Sequence, residues 1–187
     1  MINKNSKAKL LLHSCCAPCL TSSYAQTAED FLVVPFWFNP NIEDKKEYIK
    51  RLDNFKKLSE IIQASNIIID DYNIDNANWH KKITGRKNEP EGGKRCEKCI
   101  KFRLEKTAKE AKKNQFDLFG TTMTVSPRKN AVMINKIGEE LSKKYKIDFL
   151  EADFKKKDGY LLSVKLSKKY SLYRQNYCGC RYSKSKK

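Results

Sequence analysis

The stretch LLLHSCCAPC, residues 10–19, joins a short apolar run to three closely spaced cysteines. The apolar run predicts a buried β-strand over residues 10–13, and the small and polar residues that follow predict a helix over residues 17–30. A strand that leads through a short loop into a helix is the opening unit of an α/β fold. The stretch therefore predicts the fold class and also the edge of the sheet at which the cysteines lie.

The alternation of strands and helices continues along the chain. Apolar and β-branched runs predict further strands at 31–38, 67–69, 117–125 and 147–154. Helical spacing of apolar residues predicts helices at 42–65, 99–114, 131–145 and 159–170, with a brief helix around Trp79. Such alternation forms βαβ units, so we expect an α/β fold with a parallel sheet and helices on both faces. Active sites in this architecture form in loops beyond the carboxyl ends of the strands.

The chain divides into a basic leader at 1–9, a single α/β catalytic domain at 10–181 and a basic tail at 182–187. No apolar run approaches the ~20 residues that a membrane-spanning helix needs. The N-terminus is polar and lacks the apolar core of a signal peptide. We therefore expect a cytoplasmic protein without a membrane partner.

The composition is strongly basic, with 39 Lys and Arg against 22 Asp and Glu and a formal net charge of +17. A polyanion such as nucleic acid is the usual partner of a small basic domain. Two other interpretations remain open, namely a lysine-rich genome and ordinary solvated helix faces. The charge indicates a class of partner but no reaction.

The seven cysteines form three clusters, namely Cys15, Cys16 and Cys19, then Cys96 and Cys99, then Cys178 and Cys180. A reducing cytosol disfavours structural disulfides, so clustered thiols there indicate metal binding or redox chemistry. Thiolates at the strand-to-helix turn of the first cluster gain from the helix N-terminus. That turn has no glycine between residues 10 and 24, which argues against a phosphate-binding loop.

The second and third clusters leave two interpretations open. The C-x-x-C spacing of Cys96 and Cys99 suits zinc and iron–sulfur sites alike. The C-G-C pair at Cys178 and Cys180 either closes a strained, reducible disulfide or completes a four-cysteine zinc site with the second cluster.

Other polar segments are less specific. Hydroxyl and basic residues at 121–130 end a strand and open a helix, where they either bind phosphate or ribose or cap that helix. Residues 153–155 follow the last strand and are expected to face the same edge of the sheet. Four aromatic residues are candidates for stacking on an unpaired base or for the core: Tyr24, Trp37, Tyr173 and Tyr177.

Five motifs occur in a fixed order: HSCCAPC, RCEKC, TTMTVSPRKN, EADFKKKDGY and YRQNYCGC. Together they resemble the QueH family of epoxyqueuosine reductases over residues 10–181. The resemblance implies an adenine nucleotide α-hydrolase-like (HUP) fold. It also implies the last step of queuosine biosynthesis, in which epoxyqueuosine at the tRNA wobble position is reduced to queuosine with an external electron donor.

The resemblance further implies a set of site residues. A [4Fe-4S] cluster is expected at four of the cysteines: Cys15, Cys16, Cys96 and Cys99. Cys178 and Cys180 are expected to form a redox-active disulfide, and Cys19 is a candidate ligand of a second, mononuclear iron. The proton donor stays open between His13, Tyr173 and a bound water.

Two alternative functions remain at this point. A cluster-dependent tRNA sulfur-transfer enzyme of related fold would be expected to carry a glycine-rich phosphate loop after the first strand. A zinc-stabilised RNA-binding module would carry the same cysteines without catalysis.

Overall fold

The computed structural model describes residues 7–65, 67–69 and 71–184, so parts of the predicted leader and tail lie outside the described residues. Five strands alternate with six α-helices in the described residues. In chain order they are β1 Ala8–His13, α1 Ala17–Thr27, β2 Phe31–Trp37, α2 Lys45–Ile61, β3 Ile68–Ile69, α3 Tyr72–Lys82, α4 Lys94–Lys113, β4 Leu118–Thr121, α5 Ala131–Tyr145, β5 Asp148–Phe149 and α6 Gly159–Lys169. Short 3-10 helices follow at Thr122–Val125 and Arg181–Ser183.

The sheet is parallel in every pairing and has the strand order β3-β2-β1-β4-β5. β1 lies between β2 and β4, and its last residue, His13, is in register with Phe36 and Thr121. The chain leaves β1 toward one edge of the sheet and returns through β4 toward the other. The carboxyl ends of β1 and β4 therefore form the topological switch point, where α/β proteins open a crevice for ligands.

Successive side chains of β1 point to opposite faces, and those from Leu10 to His13 are fully buried on both. Leu11 packs with Leu104 of α4 in the core under α4 and α5. Leu12 packs with Leu20 of α1 and Phe55 of α2 in the core on the other face. Helices on both faces of a parallel α/β sheet, consistent with a HUP-like layout, confirm the predicted fold class.

Several boundaries differ from the sequence-based expectation; α1 and α2, for example, are shorter than predicted, at Ala17–Thr27 and Lys45–Ile61. The predicted strand at 117–125 ends at Thr121, because the Thr121 hydroxyl accepts a hydrogen bond from the Met123 N–H at 3.2 Å and starts the 3-10 helix. The predicted strand at 147–154 is only two residues long, because β5 pairs with β4 only at Leu118 and Phe119. Helix α4 begins at Lys94 instead of residue 99, so Cys96 and Cys99 both lie in its first two turns. No helix in the described part of the chain is both long and apolar enough to cross a bilayer.

Candidate active site

The first cysteine cluster is formed where β1 turns into α1. Cys16 is the N-cap of α1, and its sulfur accepts a hydrogen bond from the Cys19 N–H at 3.4 Å. Pro18 occupies the first turn, where a missing N–H costs nothing. The sulfurs of Cys15, Cys16 and Cys19 all lie within 4.8 Å of one another. Three thiols at this separation fit a thiolate-bound metal such as zinc or iron.

One negative charge is shared within this triad. Hydrogen bonds from the Cys16 and Cys19 thiols lower the pKa of Cys15 well below its usual range, and Arg103 and the Thr122 hydroxyl add to the effect. The Cys15 sulfur lies 3.3 Å from the Thr122 hydroxyl that donates to it. Donating to Cys15 raises the pKa of Cys16 to about 12, and the pKa of Cys19 is raised in the same way. The triad therefore presents a thiolate to a cation at the switch point.

His13 lies directly below the triad and has a structural role. Burial lowers its pKa to about 3, so the imidazole is neutral. Its Nε2 atom lies 3.0 Å from the Phe38 carbonyl oxygen, which can only accept, so Nε2 carries the proton. Nδ1 then accepts from the Thr121 hydroxyl at 2.9 Å. These bonds tie the end of β1 to the neighbouring chain segments and leave His13 with no proton to give to a ligand.

The second and third cysteine clusters meet around a small cavity of about 20 Å³. Cys96 and Cys99 reach it from α4, and Cys178 and Cys180 reach it from the C-terminal segment. Cys99 packs against Cys180 and the buried Trp79 indole. Burial raises the pKa of Cys99 to about 11, with Arg103 acting in the opposite direction. The Cys96 sulfur accepts a hydrogen bond from the Gly92 N–H at 3.2 Å.

A larger cavity of about 280 Å³ lies over the triad. Cys15, Cys16 and Cys19 line it together with Cys178, which also lines the small cavity. Cys96 and Cys99 line only the small one. The four thiols predicted to hold the iron–sulfur cluster are thus divided between two adjoining cavities in this conformation, and Cys178 lies between them.

The side chains of the larger cavity are predominantly cationic. Glu91 is the acidic residue among its lining residues, against five basic ones: Arg51, Arg103, Arg128, Lys129 and Arg174. Burial acts to lower the pKa of Lys129, because it disfavours the charged ammonium. Attraction to Cys178, to the second cysteine pair and to Glu91 outweighs burial and raises the pKa of Lys129. Its Nζ atom lies 3.6 Å from the Cys178 sulfur and 3.8 Å from the Glu91 carboxylate. The cavity is therefore suited to an anionic or strongly polar ligand.

The C-terminal segment that carries Cys178 and Cys180 is held by residues distant in sequence. Arg51 of α2 donates to the carbonyl oxygens of Cys178 at 3.2 Å and Tyr177 at 3.1 Å, and it is 3% exposed. Asn41 also donates to the Cys178 carbonyl, at 3.2 Å. Gly179, between the two cysteines, has a φ of +114°. These contacts fix the C-G-C turn against the sheet edge.

The family model described as epoxyqueuosine reductase QueH matches residues 10–186. A protein of Thermotoga maritima named epoxyqueuosine reductase QueH is 40% identical over 93% of this chain and 89% of its own length. Proteins of the same name from Staphylococcus epidermidis and Streptococcus pyogenes are each 36% identical, over 96% and 95% of this chain and 78% and 71% of their own lengths. The chain belongs to the epoxyqueuosine reductase QueH family.

The QueH motifs recognised in the sequence converge at the switch point, but two residues that shape the site were missed, and the contact made by a third was not predicted. Arg51 and Arg103 lie within helices rich in charged residues, where nothing in the sequence separates a buried arginine from a solvated one. Lys129 lies within the TTMTVSPRKN motif, so its position could be found, but not its contact with Cys178. Tyr173, a predicted candidate proton donor, has its hydroxyl 3.2 Å from the Glu47 carboxylate and does not line either of the two cavities.

Proposed function

We propose that this chain is an epoxyqueuosine reductase, an oxidoreductase that removes the epoxide oxygen of epoxyqueuosine in tRNA and leaves queuosine. The observation that carries the proposal is the placing of all three cysteine clusters around two adjoining cavities, of which the larger is lined by five basic side chains. Family membership over nearly the whole chain supports the same reaction. The larger cavity, at about 280 Å³, is at the lower end of the size range for small-molecule sites, which suits a single modified nucleoside.

We propose that the cysteines have the roles that the family resemblance implies. Cys15, Cys16, Cys96 and Cys99 would hold a [4Fe-4S] cluster, Cys19 would contribute to a second iron, and Cys178 and Cys180 would exchange between dithiol and disulfide. The close sulfurs and the thiolate of the first cluster support thiolate ligation at the switch point. When bound, such a centre supplies single electrons and a Lewis acid for the epoxide oxygen.

The residues of this chain bind and orient the substrate. The cationic side chains of the larger cavity attract the tRNA, and the protonated Nζ of Lys129 stabilises negative charge on an oxygen that leaves the ring. Cys178 faces both cavities, so it can receive reducing equivalents from the side of Cys180 and deliver them toward the triad. Oxidation of the dithiol releases two electrons and two protons, which balance conversion of the epoxide to an alkene and water.

The test is anaerobic incubation of the iron-reconstituted protein with epoxyqueuosine-containing tRNA and a reductant, followed by mass spectrometry of the nucleosides. We expect a product that has lost one oxygen atom. Cys96→Ala should abolish both the iron–sulfur absorption and turnover. A double change of Cys178→Ser and Cys180→Ser should keep the absorption but lose repeated turnover. Full activity of the Cys96→Ala protein would defeat the ligand assignment. Zinc as the only metal in protein purified without oxygen and before reconstitution would defeat the reaction.

A further inference from the structure

Two exposed side chains, one from the loop before α5 and one from the first turn of α6, lie at the larger cavity, and exposed apolar side chains follow them in the first turns of α5 and α6. Arg128 and Tyr160 line that cavity and are also exposed. Val132 and Leu161 lie within a few residues of them and are 80% and 62% exposed. We call these four residues, Arg128, Val132, Tyr160 and Leu161, the rim.

The rim combines apolar surface with positive charge that the protein does not neutralise. Among the described residues, Arg128 has no carboxylate within ion-pair distance, although its neighbour Lys129 does. Arg174 lies over the Tyr160 ring at 5.9 Å, and within the part of the chain that the structure describes it donates to the Ser163 carbonyl and the Ser167 hydroxyl but forms no ion pair. Isolated exposed apolar residues need no explanation, but apolar and aromatic side chains beside unpaired cations at a cavity mouth indicate a ligand surface.

We propose that the rim binds the nucleotides that flank the modified base in the anticodon loop. Tyr160 stacks on a neighbouring base, Leu161 and Val132 pack against base or ribose, and Arg128 contacts a backbone phosphate. The inference rests on the proposed function, because it takes the larger cavity as the pocket for the modified base. A cavity of about 280 Å³ leaves no room for the adjoining nucleotides, so they must lie outside it.

Single-stranded RNA fits this surface better than a protein partner does. Unpaired bases are bound by stacking on aromatic rings, while basic groups follow the phosphate backbone. The rim supplies both kinds of contact on two sides of one opening. Its apolar residues are interrupted by Arg128, Lys129 and Arg174, whereas the core of a stable protein interface is depleted of charge.

The experiment measures the dissociation constant of epoxyqueuosine-containing tRNA, and the KM and kcat of its reduction, for rim variants and matched controls. Arg128→Glu is compared with Lys113→Glu, which changes the net charge by the same amount. Lys113 is exposed at the end of α4, on the opposite edge of the sheet from the cavity. Leu161→Asp is compared with Ile74→Asp, because Ile74 is 64% exposed on α3. Tyr160→Ala tests the stacking. All five positions are exposed, so the fold should survive each change.

We expect Arg128→Glu and Tyr160→Ala each to raise the dissociation constant and KM about tenfold, with a smaller fall in kcat. Arg128→Glu should also reduce the slope of log affinity against log salt by about one, as expected when one phosphate contact is lost. Leu161→Asp should weaken binding severalfold, and Lys113→Glu and Ile74→Asp should change it less than twofold.

Rim variants that bind tRNA as their controls do would overturn the inference. The same holds if Leu161→Asp leaves tRNA binding intact and instead abolishes self-association in ultracentrifugation, since the patch would then be an interface between copies. A wild-type protein that binds this tRNA through the rim but does not reduce it would refute the proposed function alone.

Discussion

Replacing Gly179 by alanine should release the C-G-C turn while leaving most of the fold intact. Gly179 has a φ of +114°, which L side chains rarely adopt, and an added Cβ would lie 2.8 Å from Ile42 Cγ1 and 3.3 Å from Arg51 Nη1. Backbone strain at such a position costs about 1–3 kcal/mol, and overpacking costs a similar amount. We therefore expect a total of about 4 kcal/mol at this turn.

Hydrogen bonds from Arg51 and Asn41 hold the turn, so the protein can relieve this cost by breaking them and detaching the turn locally. Detachment breaks the Arg51 hydrogen bonds and exposes Cys178 and Cys180. We expect alkylation of these two thiols in the metal-free, reduced protein to accelerate at least tenfold, measured by mass spectrometry of the peptides. Reductase turnover should fall in parallel, since Cys178 would no longer lie between the two cavities.

Gly85→Ala is the matched control. Gly85 has a φ of +76° but no atom within 4 Å of an added Cβ, so this change tests strain without a clash. It should cost about 1 kcal/mol in urea unfolding and leave alkylation of Cys178 and Cys180 unchanged. If Gly179→Ala matches Gly85→Ala in stability, alkylation and turnover, then packing against Ile42 and Arg51 does not hold the turn.

Three further predictions concern buried groups around the site. His13 has a pKa of about 3 in the fold against 6.5 when exposed, so its contribution to the free energy of unfolding is complete above pH 6.5 and is lost as the pH falls toward about 3. Urea unfolding should show a loss of up to about 5 kcal/mol over this range. An imidazole that titrates near 6.5 by NMR would contradict this. Thr122→Val should raise the pKa of Cys15 and slow its alkylation at neutral pH, because the valine cannot donate to the sulfur. The indole N–H groups of Trp79 and Trp37 are both buried without a well-formed hydrogen bond, but only Trp79 packs in the cluster that contains Cys99, and its N–H acts to lower the pKa of that thiol. Trp79→Phe should therefore lower the reduction potential of the reconstituted protein by about 60 mV, a tenfold change for one electron, while Trp37→Phe should leave it unchanged.

The sequence was a good guide to the elements with strong local signals. Helix α5 spans Ala131–Tyr145, as its apolar spacing predicts, because Asn130 caps its start and Lys146 ends it in a left-handed conformation. The length of β5 could not be predicted in the same way. The predicted run at 147–154 is long enough for a full strand, but β5 pairs with β4 only at Leu118 and Phe119, although β4 continues to Thr121, and no local pattern encodes where such a pairing stops.

The site was predicted by residue type but not by grouping. Cysteine spacing identified three clusters at loop–helix junctions, and each junction lies at the expected edge of the sheet. Which cluster faces which cavity depends on contacts such as Arg51 to Cys178, which join residues 127 positions apart. No local pattern encodes a contact of that range, so the division of the seven thiols between two cavities required the structure.

Arg103 shows why the two thiol groups act as one electrostatic unit. It is 3% exposed, lines both cavities and contacts the Asn39 side-chain oxygen at 2.6 Å, while its Nε atom has no hydrogen-bond partner. A buried guanidinium without a carboxylate is costly unless another anion compensates it. The groups that it favours as anions are thiols, since it lowers the pKa of Cys15 in one cavity and opposes the rise at Cys99 in the other. The Cys15 thiolate is therefore the counterion of this buried arginine, while Cys99, whose pKa is about 11, faces the same guanidinium as a neutral thiol, so a change of charge in one cavity is felt in the other.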